Sequence, residues 1–340
     1  MKNSLKTAFY ALALVGAMSA CTSKEALFTP DEVNNANNKT TNITNPTTAN
    51  AFVAANPKKF LFDALKAENA GNADWIVSEN SVGTPLRFPS PAASTVTAST
   101  PETYWQGGLS SWGIALVKQG HSVESLVTGA TITYGNTSNP QDLSKYDVYV
   151  VDEPNTLFTA SEKTAILNFV KNGGGLFMIS DHDVSDRNGD GKDSPAIWND
   201  LMQNNSVQAN PFGFSVELTN ISETSINVLK DPTNKILNGS QGNVSQLKFS
   251  NGATISLNKI ANTNVKGLIW QNTATTQGIT KAMCASSTFF AGRVVLVTDS
   301  SPADDGTAKP GKKVYPGWTE ANGNHSRLHL NASLWLAKLQ

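Results

Sequence analysis

The chain has no basic block. Lys and Arg number 26 against 27 Asp and Glu, a formal charge of −1. The cations are scattered, which argues against nucleic acid as a main ligand. No segment beyond the first twenty residues is long and apolar enough to read as a bilayer span. Cysteine is almost missing, with only Cys21 and Cys284 in 340 residues. A disulfide framework is therefore excluded, and the fold has to be held by packing or by packing with a bound metal. Internal repeats at solenoid spacing are missing as well.

What stands at the start is a secretory pattern. Lys2 and Lys6 precede the short apolar stretch Ala8–Ala17, and Met18-Ser19-Ala20 runs into Cys21. Small residues abutting a cysteine resemble the lipobox of bacterial lipoproteins. The resemblance implies cleavage after residue 20 and lipidation of Cys21 with acyl chains such as palmitate. It also implies a place in the cell envelope, anchored to a membrane, with the outer membrane favoured and a periplasmic or surface-exposed face. Membrane lipid is then the partner through Cys21. Loss of Lys2 and Lys6 takes the formal charge to −3. Residues 21–57 follow as an Asn-, Thr- and Ala-rich tether with little to bury, expected to stay disordered.

Residues 58–340 are long enough for one large α/β domain. Phe60–Ala64, Ser122–Leu126, Asp147–Asp152, Leu176–Ile179 and Gly292–Asp299 read as strands, several of them ending at a carboxylate. Thr159 or Ser161 with Glu162 announces a helix, whose apolar face carries Ala165, Ile166, Phe169 and Val170. Gly173-Gly174-Gly175 stops it, so a βαβ unit runs from 147 to 179. Leu109–Gln119 and Ser326–Leu339 read as further helices, and 66–105 as a long loop. Residues 204–280, rich in Asn, Ser and Thr, read as a β-rich insertion with short strands at Val216–Leu218, Ile226–Leu229 and Gly267–Trp270.

The order YDVYVVDEP…FTASEKTAILNFVKNGGGLFMISDH resembles the class I glutamine amidotransferase-like domain of uncharacterised secreted bacterial proteins, over about 58–203 and 281–340. The resemblance implies a flavodoxin-like parallel sheet with helices on both faces. In amidotransferases a nucleophilic Cys occupies an elbow after the strand matching 176–179. Here Ser180-Asp181-His182-Asp183 stand there, without Cys or flanking Gly, so glutaminase activity is not carried over. Cys284, in AMCASST, is not in an elbow and reads as a buried, inert thiol.

Two acidic groupings carry chemistry. Parallel strands would bring Asp63, Asp152, Glu153, Asp181, His182 and Asp299 to one sheet edge, where α/β sites assemble. No cationic partner for them is evident in the sequence. A divalent metal activating water, with a carboxylate as general base, would suit such a cluster; capping of helices and loop amides is the alternative. The second grouping, Asp186-Arg187-Asn188-Gly189-Asp190-Gly191-Lys192-Asp193-Ser194, matches the first half of an EF-hand-type calcium loop. Asp186, Asn188, Asp190, Lys192 and Ser194 fall at ligand positions. Ile197 replaces the usual closing Glu, so Asp200 or another loop would complete the shell, and a solvated acidic turn is the competing reading.

His325 and His329 share a helical spacing and, with Asp63, stand as additional ligand candidates against capping and packing. Ser300-Ser301-Pro302 lacks the G-x-S-x-G pattern, which favours a loop-bonding role over a nucleophile. Trp105 and Trp318, in Gly/Pro-rich loops, could stack on a sugar. Function divides three ways: a metal-assisted hydrolase of an extracellular polymer such as a glycan, a non-catalytic carbohydrate- or protein-binding lipoprotein with a structural calcium loop, or an envelope scaffold. A polysaccharide or an envelope protein is the expected partner.

Overall fold

The computed structural model describes residues 54–88, 95–127 and 129–340. The expected leader, Cys21 and the tether up to residue 53 lie outside them. The apolar runs become β1 (Lys59–Phe62), β2 (Ser122–Ser125), β3 (Val148–Asp152) and β4 (Gly175–Ile179). Beyond residue 203 the chain adds β5 (Phe214–Val216), β6 (Ile221–Ser225), β7 (Asn227–Val228), β8 (Asn238–Gly239) and β9 (Gly242–Asn243). It continues with β10 (Leu247–Gly252), β11 (Ile255–Leu257), β12 (Lys266–Trp270), β13 (Ala282–Phe289) and β14 (Gly292–Val297). Helices are α1 (Ser110–Lys118), α2 (Ala160–Lys171), α3 (Ser194–Gln203) and α4 (His325–Leu336). None of these helices is long and apolar enough to cross a membrane.

The sheet order β2-β1-β3-β4-β14 is parallel throughout. It is the flavodoxin-like order, with helices on both faces. Side chains alternate along each strand and so divide the core in two. Phe60, Phe62, Val148, Val150, Phe177, Ile179, Val295 and Val297 face α1 and α4, with Trp112 and Leu328. Leu61, Tyr149, Val151, Leu176, Met178, Val294 and Leu296 face α2 and α3, with Ile166 and Trp198.

Local signals explain the helix ends. Thr159 accepts from the Glu162 amide while the Glu162 carboxylate accepts from the Thr159 amide, a reciprocal cap. Asp193 caps α3 by accepting from the Ala196 amide at 3.0 Å. At Gly175 a Cβ would lie 2.8 Å from Leu336, so only glycine lets α4 sit this close to β4.

The β-rich stretch is joined to the same sheet. β13 pairs antiparallel with β14, β11 with β13, β5 with β11, and β12 with β13. β14 is thus an interior strand. The mixed run AMCASSTF gave no clear period, which is why β13 escapes a reading by pattern.

Candidate active site

The parallel register delivers acids to the carboxyl edge. Asp152 pairs with Ile179, and Ile179 with Val297, so the residues following each strand converge. Asp63, Asp152, Glu153, Asp181 and Asp299 are all buried there. Glu153 has a left-handed backbone, φ 45°, an uncommon state for a non-glycine residue. Its carboxylate is held on three sides. Oε2 accepts from Trp75 Nε1 at 2.5 Å and from Ser300 Oγ at 2.8 Å, and Oε1 accepts from Arg187 Nε at 2.6 Å.

Arg187 is the centre of the arrangement. Its Nη2 donates to Asp181 Oδ2 at 2.7 Å, and its Nη1 to Asn72 Oδ1 at 3.0 Å. Burial alone would lower its pKa, but Glu153 and Asp181 outweigh that and raise it, so it stays charged. Its amide donates to Asn155 Oδ1, and Asn155 Nδ2 donates to the Glu153 carbonyl. Gly71 makes the fit close: its φ is 54°, and a Cβ there would lie 2.8 Å from the Arg187 carbonyl. The expectation of acids without a cationic partner is therefore corrected. The cation comes from the glycine- and aspartate-rich turn, which places the two acidic groupings in one unit.

One guanidinium does not neutralise the whole edge. Burial, then Glu153 and Asp299, push the Asp181 carboxyl well above the usual carboxylate range, and Arg187 only partly opposes this. Asp181 therefore holds a proton more tightly than an ordinary carboxyl does, and lies within reach of Glu153. Asp152 is more isolated. Burial raises it well above the ordinary range, reinforced by Glu153, Asp299 and Asp304, and neither of its oxygens has a hydrogen-bond partner. Asp299 differs. Burial raises it to about 7, opposed by the amides of Ser250 and Ser301, which donate to its oxygens. Burial also brings Asp304 to about 7, opposed by the Gly306 and Tyr315 amides. Environments that separate the pKa values of neighbouring carboxyls create an acid and a base.

The acidic region continues into the 66–88 loop. Glu68 is buried; burial and Asp63 raise its pKa well above the usual range, against the backbone amides of Lys66 and Glu68. Asp63 accepts from Tyr149 Oη at 2.7 Å and from the Lys66 amide at 3.1 Å. It is thus a loop anchor in this structure.

The turn at 186–194 folds around its own amides. Asp186 Oδ1 accepts from Gly189 N and Oδ2 from Gly191 N, each at 2.8 Å. Asn188 Nδ2 donates to the Asn155 carbonyl and, at 3.1 Å, to Asp190 Oδ2. The Lys192 amide donates to Asp190 Oδ1 at 2.9 Å. Ser194 departs from the expectation: it is the first residue of α3, buried, with Oγ towards Ser180 at 3.5 Å. Asp200 pairs with Lys163, so it does not complete a shell on this turn. Among the described residues, no group of three or more His, Cys, Asp and Glu is arranged to hold a metal ion.

The remaining candidates separate. His182 lies beside the centre, Nε2 3.8 Å from Asp181 Oδ2, with Nδ1 against the Asp183 carbonyl and Asn220. His325 and His329 do not act as a ligand pair here. His325 Nε2 accepts from the Lys248 amide and Nδ1 meets the Gly317 carbonyl, while His329 Nδ1 meets the His325 carbonyl. His329 stacks on Phe177 and meets Trp112 edge-on; burial lowers its pKa to about 3, so it packs as a neutral ring. Trp105 and Trp318 are buried, which removes them as surface stacking platforms. Cys284 is buried and burial pushes its thiol up.

Arg187, Trp75 and Glu68 escape a reading by pattern. Arg187 sits between expected ligands, Trp75 in a loop without period, and each acts across long sequence separations. Ser300 was legible only as a serine after a strand.

No protein-family model and no curated protein matches the sequence. Among solved structures, the chain is similar to a cytoplasmic protein from Salmonella typhimurium, at 13% identity and a TM-score of 0.44, over 82% of this chain and 98% of that one. It is also similar to a ThuA-like protein from Parabacteroides merdae, at 10% identity and a TM-score of 0.42, covering 84% and 91%. A third is an exo-β-1,4-mannosidase from an Opitutaceae bacterium, at 11% identity and a TM-score of 0.39, covering 83% of this chain and 36% of that one. By its own strand order the chain is a flavodoxin-like α/β protein with a buried carboxyl centre.

Proposed function

We propose that the chain is a lipid-anchored hydrolase of an extracellular polymer such as a glycan, working by carboxyl acid–base chemistry. The observation that carries this reading is Asp152: a buried carboxyl without a partner, among Glu153, Asp299 and Asp304. Asp152 is the proton donor to the leaving group. Asp299, which titrates at about 7, is the base that takes a proton from water. Arg187 and Trp75 are positioning residues that fix Glu153, and Arg187 also pairs with Asp181. Arg187 supplies the positive charge that a divalent metal was expected to supply at Asp181. The amidotransferase-like resemblance adds no nucleophile, since Cys is missing from 180–183.

The test is a panel of glycan and ester substrates with purified protein, assayed between about pH 5 and pH 9. Turnover is expected to rise with pH through about 7, as Asp299 deprotonates, and to fall higher up as Asp152 loses its proton. Absence of turnover across the panel, or a rate that ignores pH, would replace the hydrolase with the binding lipoprotein. One observation favours that second reading: Asp152, Asp181 and Asp299 are at most 2% exposed, so substrate reaches them only if the surrounding structure opens.

Calcium is part of the proposal for the turn, with Asp186, Asn188 and Asp190 as side-chain ligands and Lys192 through its carbonyl. Binding would require Asp186 to leave the Gly189 and Gly191 amides. Titration calorimetry should give heat for the wild type and none for Asp186→Ala combined with Asp190→Ala. A silent wild type, or equal heats, would leave a plain acidic turn.

A further inference from the structure

We infer that the amino-terminal edge of the sheet is a docking face for an anionic lipid surface, met by Phe290 and three lysines. The face rests on the lipid-anchored reading, because an anchor at Cys21 is what keeps such a surface near. Cys21 precedes β1 in the chain, so the anchored segment joins the sheet at this edge. The acids stand at the other edge. Lys59 begins β1 and Asp63 follows it; Phe290 comes just before β14 and Asp299 just after it. Since β1, β3, β4 and β14 are successive neighbours, their amino ends form a row about 15 Å long.

Phe290 is 70% exposed, in the turn that joins β13 to β14. Its φ is 50°, a left-handed conformation that glycine or asparagine fills more readily. An aromatic ring kept there against both backbone preference and exposure points to a contact outside the fold. The Lys171 ammonium stands 4.9 Å from the centre of that ring, and the Ala291 amide donates to the Lys171 carbonyl at 3.3 Å. Lys338, after α4, joins the same group: a Cβ at Gly173 would lie 3.1 Å from its Nζ and 3.9 Å from the Ala291 Cβ. Lys59, Lys171 and Lys338 are exposed, and none of them pairs with a carboxylate among the described residues. Lys58 does, with Asp147 at 3.1 Å. A ring flanked by long cationic side chains suits a bilayer interface, where the ring enters the headgroup layer and the ammonium groups meet phosphates. Charge complementarity sets the orientation. An anionic surface attracts this edge and repels the acidic one, which turns the carboxyl centre away from the membrane. Anchoring makes even a weak contact effective, because the surface is always at high local concentration.

The test is lysine footprinting with an amine-reactive ester, read by peptide mass. The mature chain, residues 21–340, is coupled through the Cys21 thiol to a maleimide lipid; Cys284 is buried and does not compete. Vesicles of phosphatidylcholine with phosphatidylglycerol should protect Lys59, Lys171 and Lys338 but not Lys192, which lies in the acidic turn. Protection should fade on phosphatidylcholine alone and at high salt. Lys171→Gln should lower the protected-to-free ratio at Lys338 about five-fold, the worth of one lysine beside such a surface. Phe290→Asn, which suits the turn, should remove most of the protection without lowering the melting temperature. Equal labelling on both vesicle types, equal protection of Lys192, or no effect of either variant would overturn the docking face. The same protection in uncoupled chain without vesicles would also overturn it, and assign the edge to a second copy. Acylation of Cys21 is read separately, from the mass of its peptide in cell membranes. Its absence would end the anchor and leave the vesicle footprint standing.

Discussion

Asp152→Asn is expected to lower turnover on any responsive substrate by roughly 10²–10⁴-fold, the usual contribution of a positioned acid or base. The same change should leave the melting temperature level or raise it. Both follow from one geometry. The Asp152 carboxyl gives and receives no hydrogen bond, so an amide of the same shape loses no bond that the acid made. It can no longer ionise beside Glu153, Asp299 and Asp304, and a source of repulsion goes with it. A structural acid would behave oppositely, losing stability and sparing the rate. Turnover within about three-fold of wild type would therefore remove Asp152 from the chemistry; substrate assays paired with thermal melts on one preparation decide it.

The second large effect is on stability. Arg187→Ala is expected to destabilise the fold by roughly 3–5 kcal/mol, the typical loss when one member of a buried ion pair is removed. Glu153 and Asp181 would stay buried without their guanidinium, and the side-chain contact to Asn72 would go as well. The loss should depend on pH. Without Arg187, the already raised pKa of Asp181 rises further. Wild type and variant share the loss that follows ionisation up to the wild-type folded pKa of Asp181, so the extra deficit appears only as pH rises past that value. The deficit should thus be at least as large at pH 8 as at pH 5. Arg187→Lys should recover part of it, keeping the charge but losing the fork that spans both acids. Denaturant titrations at the two pH values measure this. A deficit below about 1 kcal/mol, or one larger at pH 5 than at pH 8, would show that Arg187 is not the clamp.

Several features were legible in the residues alone, each because its cause is local. The run Val148–Val151 is apolar on both faces and bounded by Asp147 and Pro154, so a buried strand is the only economical reading. The Thr159–Glu162 cap lies within a single turn and marks the start of α2. The triple glycine stops that helix. Carboxylates directly after strands also showed themselves, since strand ends in a parallel sheet face one edge.

The clamp was not legible, because its partners meet only after folding. Arg187 reaches Glu153 across 34 positions, Trp75 reaches it across 78 and Ser300 across 147. Nothing in the local pattern of the turn distinguishes an arginine that points inward from one that points to solvent. The turn's spacing instead suggested an ion-binding loop separate from the strand-end acids. The spacing of His325 and His329 left two readings open for a related reason: spacing of four shows a shared helical face, but whether that face meets an ion or an aromatic core depends on what packs against it.

Composition and periodicity alone determined that this is an α/β chain held by packing, with strands that end in acids. That much follows from side-chain alternation, caps and breakers, which act over a few residues. Tertiary structure decided that β13 and β14 pair, that the β-rich stretch joins the main sheet, and that Arg187 closes over Glu153 and Asp181. Those outcomes rest on burial and on charges brought together from distant positions, where desolvation and neighbouring carboxyls, rather than residue type, set which acid keeps its proton.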